Sequence, residues 1–209
     1  METHELPLAT ILVVEDGPAP PPRELRDRFA DRGVRWIATG QNVGQIAAID
    51  YAYSRVGTPY VFHLEDDWEF YRAGYMERSL RVLESNPKCL QVWIRATGDT
   101  QRHPVEPYVY VDEGVAWQRM ALHYEHKGTW NGFTFNPGLR RLADYVAIGG
   151  YGVHARFHPD RPNEPETILS QLYRRHDCFA AILADDGGAG YVRHLGDQRH
   201  VGPVPEYDR

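Results

Sequence analysis

Three consecutive carboxylates, Glu65-Asp66-Asp67, close the apolar run from Tyr60 to Leu64, and no other feature constrains the folding of this chain as tightly. Adjacent carboxylates repel one another and cannot be buried without compensation. The residues before them have the pattern of a buried strand. The strand must therefore end at a surface, where the triplet meets either water, as a solvated loop, or a divalent cation. Hard carboxylate oxygens suit Mg²⁺ or Mn²⁺. Ligands of open α/β sheets bind beyond the carboxyl ends of strands, so the position makes the triplet a candidate metal site.

The rest of the chain reads as an α/β fold, a mainly parallel, Rossmann-like sheet flanked by helices, because apolar runs alternate with helix-period segments. Strands are expected at Ala9 to Val14, Val34 to Ile37, Tyr60 to Leu64, Leu90 to Ile94, Phe179 to Ala184 and Tyr191 to Leu195. Helices are expected at Arg23 to Arg32, Gln45 to Arg55, Tyr75 to Glu84 and Asn163 to Arg175, with a helical turn at Leu139 to Tyr145. Residues 98 to 130 read as a hairpin or irregular lobe.

The 209 residues suit one domain, 42% hydrophobic and 25% charged, which is enough for a packed core. The formal net charge of -6 argues against a nucleic-acid partner, which needs a basic face. Arg140-Arg141 and Arg174-Arg175 read as solvated helix faces, and Cys89 and Cys178 as reduced core thiols. No signal peptide is visible and no apolar stretch approaches the ~20 residues of a membrane span, so the expectation is a cytoplasmic protein.

Two further motifs sit where ligands gather. Glu15-Asp16-Gly17 ends the first apolar strand; Asp16 is either part of an ordinary Asp-Gly turn or an acceptor for a nucleobase N–H or a ribose hydroxyl. Asn42-x-Gly44 opens the helix that leads to the acidic strand, with Asn42 a potential N-cap.

In order along the chain, V-V-E-D-G-P, N-V-G-Q-I-A-A-I-D and Y-V-F-H-L-E-D-D-W resemble family 2 glycosyltransferases of the GT-A fold, with about fifty residues between the acidic turns. F-T-F-N-P-G-L, N-E-P-E-T-I-L-S-Q-L and Y-V-R-H-L-G resemble the acceptor-side half of that family. The resemblance implies one glycosyltransferase domain over residues 1–209, with a nucleotide-binding half at 9–97 and an acceptor-side half at 98–209. It implies a nucleotide-diphosphate sugar donor (UDP, GDP or TDP), an acceptor hydroxyl, Mn²⁺ or Mg²⁺, and inversion at the anomeric carbon.

Residue by residue, the resemblance puts Asp16 and Asn42 in the nucleotide site, Asp66 on the ribose or the metal, and Asp67 on the metal. Glu166 corresponds to the general base, with Glu164 and Asp177 as substitutes; its other reading is a capping-box residue after Asn163. His194 matches a position where some relatives place a histidine on the metal or diphosphate, with His200 the competing candidate and an ordinary loop histidine the other reading of each; Arg193 or Arg199 could instead clamp a phosphate. From the residues themselves, Trp130 and Asn131 could shape the sugar or acceptor pocket, with a plain core role the equal alternative for Trp130, and Gly149-Gly150-Tyr151-Gly152 reads as a mobile loop over the donor. The strand and helix that normally precede the Asp-Gly strand are not apparent, which predicts a gap in the sheet or a rearranged order, and an exposed edge open to a homodimer. Two other readings use the same motifs. One is a non-catalytic nucleotide-sugar or glycan-binding partner. The other is a nucleotidyltransferase, against which stands the lack of a Gly-rich Lys loop near the N-terminus.

Overall fold

The computed structural model describes residues 7–100, 103–125, 128–156 and 164–195. The first apolar run forms β1 (Ile11–Glu15), and Val34–Ala38 (β2) pairs with it in parallel, from Ile11 opposite Val34 to Glu15 opposite Ala38. The helix between them is shorter than the sequence predicts: α1 covers Arg23–Asp27, and a separate 3-10 turn covers Ala30–Arg32. Leu25 and Phe29, the apolar face of the expected helix, stay 37% and 39% exposed, so little burial supports a longer one. Gly33 (φ 66°) then turns the chain into β2.

The main sheet has six strands. In spatial order they are Tyr60–His63 (β3), Gly138–Arg141 (β10), Cys89–Trp93 (β5), Phe179–Leu183 (β11), Val115–Met120 (β7) and Val105–Asp112 (β6). The sheet is mixed. β3, β5 and β11 run the same way, and β10 lies antiparallel between β3 and β5. Among the described residues β1 pairs with β2 alone, and the pair stands apart from the main sheet.

The strand β10 corrects the helical turn expected at Leu139 to Tyr145. Leu139 to Arg141 is held in extended form by partners on both sides, and the helix α4 begins only at Leu142–Ala147. Backbone pairing with two strands outweighs local helix propensity here.

Three helices cover the main sheet. Tyr75–Ser85 (α3) packs Tyr75, Met76, Val82 and Leu83 with Val92, Ile94, Ala181 and Leu183. Gln45–Tyr53 (α2) and Glu164–Arg174 (α5) bring Ile46, Ile49, Tyr53, Leu169 and Tyr173 together with Leu90, Phe133 and Phe135. Every residue of β5 is buried, as expected for a strand covered on both faces. Outside the main sheet, Trp68–Phe70 (β4) pairs with Val192–His194 (β12), and His123–Glu125 (β8) with Gly128–Trp130 (β9). The expected hairpin is therefore β6–β7, with β8–β9 beyond it. Both cysteines are free thiols, Cys89 fully buried. No helix among the described residues is long and apolar enough to cross a membrane.

Candidate active site

The acidic triplet leaves β3 through a turn, and its three carboxylates diverge. Glu65 turns inward and accepts a hydrogen bond from Gln45 Nε2, at the first residue of α2. Asp66 points to solvent. Asp67 Oδ2 lies 2.8 Å from His194 Nε2, while Asp67 Oδ1 is shielded from solvent and has no hydrogen-bond partner.

The pairing of β12 with β4 closes this contact across 127 residues of chain. His194 stands opposite Trp68, and Leu195 N donates to Asp67 O at 2.7 Å. Trp68 contacts both the His194 ring, tilted with its centroid 4.9 Å away, and the Arg95 guanidinium, 5.0 Å from its ring. The structure thus brings together two residues that the sequence selected separately, Asp67 and His194. The competing His200 and Arg199 lie outside the described residues, and Arg193 is engaged in an ion pair with Glu69.

The start of α2 ties the first strand to this turn. Asp16 accepts from Val43 N (2.8 Å, Oδ1), Gly44 N (2.8 Å, Oδ2) and the Thr39 hydroxyl (3.0 Å, Oδ1). Of the roughly four acceptor positions of a carboxylate, one on Oδ2 is left for a ligand. Asn42 Oδ1 accepts from Gly44 N at 3.2 Å, a side-chain turn; Gly44 rather than Asn42 occupies the N-cap position.

Glu166, in the first turn of α5, faces the loop that precedes β10. Its Oε1 accepts from the Thr134 hydroxyl (2.8 Å) and from Phe135 N (2.7 Å). Arg140, 3% exposed, braces the same loop through Nη2, which donates to Thr134 O (2.6 Å) and Asn136 O (3.2 Å). This overturns the reading of Arg140-Arg141 as a solvated helix face: both lie in β10, and Arg141 Nη1 donates to Cys89 O at 2.6 Å. Arg174 and Arg175 are exposed. Asn163 lies outside the described residues.

Enclosure pushes the Glu65 carboxyl up to about 7. The Gln45 hydrogen bond and Arg140 act against that rise, and repulsion from Glu166 and Asp67 adds to it. Three acidic groups from α5 and the β3 turn therefore share one field. Gln45 was not singled out in the sequence, and Glu65 was singled out only as a member of the acidic triplet, with no role of its own. No local signal separates Glu65 from its neighbours: the triplet lies beyond β3 in a turn, where strand alternation does not hold, and only the packing of α2 against it turns Glu65 inward.

Of the two readings of Trp130 the core one holds: it is 2% exposed, its ring stacked on His103 at 4.1 Å and against Trp93, and its Nε1 donates to Phe133 O. Two expectations are corrected. Asn131 is 3% exposed and donates to Cys178 O at 2.8 Å, so it fastens the core instead of lining a pocket. The Gly149–Gly152 segment is anchored: Asp50 accepts from Tyr151 N (3.0 Å), Gly152 N (2.7 Å) and the Tyr145 hydroxyl (2.9 Å). Asp177, a substitute base in the sequence reading, sits with positive φ in the turn after α5.

A divalent cation fits this site in part. Asp67 Oδ1, shielded and without a hydrogen-bond partner, is an oxygen of the kind that suits a hard cation, and the His194 ring stands beside the same carboxylate. Among the described residues no three His, Cys, Asp or Glu side chains converge into a complete cage. The remaining ligands would come from a bound substrate or water.

The model of the family described as "Glycosyl transferase family 2" matches residues 4–145. The chain belongs to that family, a family of sugar transferases, and the family implies the GT-A class of α/β fold. The match takes in Asp16, Asn42 and the acidic turn, and it ends before Glu166 and His194. No curated protein matches the chain.

Proposed function

We propose that this chain transfers a sugar from a nucleotide-diphosphate donor (UDP, GDP or TDP) to an acceptor hydroxyl, with Mn²⁺ or Mg²⁺ and with inversion at the anomeric carbon. The observation that carries the reading is Asp67, with one oxygen on His194 and the other enclosed and unpartnered, at the carboxyl end of β3. Asp67 would hold the cation, with His194 orienting its carboxylate from beside it; the cation would supply Lewis-acid neutralisation of the departing nucleoside diphosphate. Asp66, exposed beside it, reaches the ribose or the metal, and the Asp16–Asn42–Gly44 turn receives the base.

Glu166 is the general base. It takes the proton of the acceptor hydroxyl as that oxygen attacks the anomeric carbon. The two donors on its Oε1 fix the orientation of the carboxylate. The same two bonds also favour a second reading, in which Glu166 only pins the 134–135 loop and the chain binds a nucleotide sugar without turnover.

Calorimetric titration of UDP, GDP and TDP, with and without Mn²⁺, tests the donor site. One nucleotide should bind, and binding should vanish with EDTA and in Asp67→Ala; no binding of any nucleotide defeats the proposal. Glu166→Gln separates the two readings. With Glu166 as base, turnover drops by ~10²–10⁴-fold while nucleotide affinity is unchanged. If Glu166 is only structural, wild type and Glu166→Gln bind nucleotide alike and neither turns over the donor.

A further inference from the structure

The strand β6 ends the main sheet on the side away from β3, and its outer edge has no partner strand among the described residues. Four consecutive apolar residues on it face solvent: Tyr108 is 69% exposed, Val109 57%, Tyr110 41% and Val111 66%. Edge strands are normally blunted by charge, proline, a bulge or a covering segment. Here Pro107 and the register irregularity between Val105 and Val109 blunt only the beginning. The charges at either end are drawn back onto their own chain: Glu106 lies 3.8 Å from Arg119, and Asp112 accepts from Asn86 Nδ2 (2.7 Å) and Trp117 Nε1 (2.8 Å). What remains is an uncharged, apolar length of open backbone.

We propose that β6 is a self-association edge, on which a second copy of this chain pairs antiparallel about a two-fold axis at Tyr110. The sequence is self-complementary about that residue. Val109 faces Val111 of the second copy, Tyr110 faces its own counterpart, and Tyr108 faces Asp112. Charge disfavours the neighbouring register with its axis at Val109. That axis would set Glu106 directly opposite Asp112, which keeps its charge because both its donors are neutral, a like-charge pair that the 3.8 Å contact of Glu106 with Arg119 offsets only in part. Pairing about Tyr110 joins two six-stranded sheets into one continuous sheet and covers the four exposed residues together.

Sedimentation velocity on the full chain, over a concentration series reaching into the sub-millimolar range, tests the association, and cysteine cross-linking tests the register. The wild type should shift from monomer to dimer with concentration. Val111→Lys, at a side chain with no packing role to lose, should remain monomeric. An equimolar mixture of Val109→Cys and Val111→Cys should give an oxidised dimer, because directly opposed Cα atoms ~5 Å apart lie within reach of a disulfide. Val109→Cys alone should give far less. A wild type monomeric throughout, or a dimer unaffected by Val111→Lys, overturns the proposal. Efficient cross-linking of Val109→Cys alone overturns the Tyr110 axis.

Discussion

At the scale of single residues, the candidate site depends on carboxylates that differ sharply in their surroundings. Glu65, Asp66 and Asp67 are adjacent in sequence, yet one is enclosed, one is solvated, and one bonds to a histidine 127 residues away. Asp67 could be selected in the sequence because the triplet marked the end of a buried strand. Glu65 was not, because only the start of α2, folded against the turn, shows which carboxylate faces inward. Asp50 is a similar case. It closes the N-V-G-Q-I-A-A-I-D motif without a role of its own in the sequence reading, yet it holds two backbone N–H groups and a tyrosine hydroxyl of the 145–152 segment. Asp50→Ala leaves those donors unpaired and should cost about 3 kcal/mol, read as a lower urea midpoint at unchanged m-value.

At the scale of elements, the late strand β12 contributes most to the site for its length. It enters through Gly190, where φ is 74° and an added Cβ would overlap the backbone of Arg95 and Ala96. Gly190→Ala therefore combines backbone strain with a backbone clash and should cost about 3 kcal/mol or more. Because β12 carries His194 to Asp67, the same variant should lose Mn²⁺-dependent nucleotide affinity in calorimetry even under conditions where circular dichroism shows it folded. Most elements were legible from periodicity: α2 and α3 lie where the spacing of Ile46, Ile49 and Tyr53, and of Met76 and Leu83, put them. β10 was not, because Gly138–Arg141 is too short for a pattern and takes its form from two neighbouring strands.

At the scale of the whole molecule, two enclosed groups act in opposite senses on stability. Burial holds the His63 imidazole well below its ordinary pKa of 6.5, so below pH 6.5 the unfolded chain binds the extra proton and the contribution of His63 is lost on acidification. Glu65, raised from 4.5 to about 7, stays protonated in the fold where the unfolded chain has ionised it; its contribution is present at acid pH and lost as pH rises to about 7. Urea unfolding in EDTA at pH 7 and pH 5 should separate them. The stability advantage of wild type over His63→Gln shrinks on acidification by up to ~1.4 kcal/mol per pH unit, and its advantage over Glu65→Gln grows at up to the same rate. Parallel curves for all three chains would refute both assignments.

The sequence by itself determined the class of fold, the buried strands, the acidic turn at a strand end and the family, because these follow from periodicity and from local sterics acting over a few residues. It also selected Asp67 and His194 separately. Tertiary structure decided which of those residues meet. It enclosed Glu65, buried Arg140 beneath the 134–136 loop, turned Trp130 and Asn131 into core, and anchored the glycine segment on Asp50. Burial and hydrogen-bond partnership depend on segments up to 127 residues apart, and no local pattern carries that information.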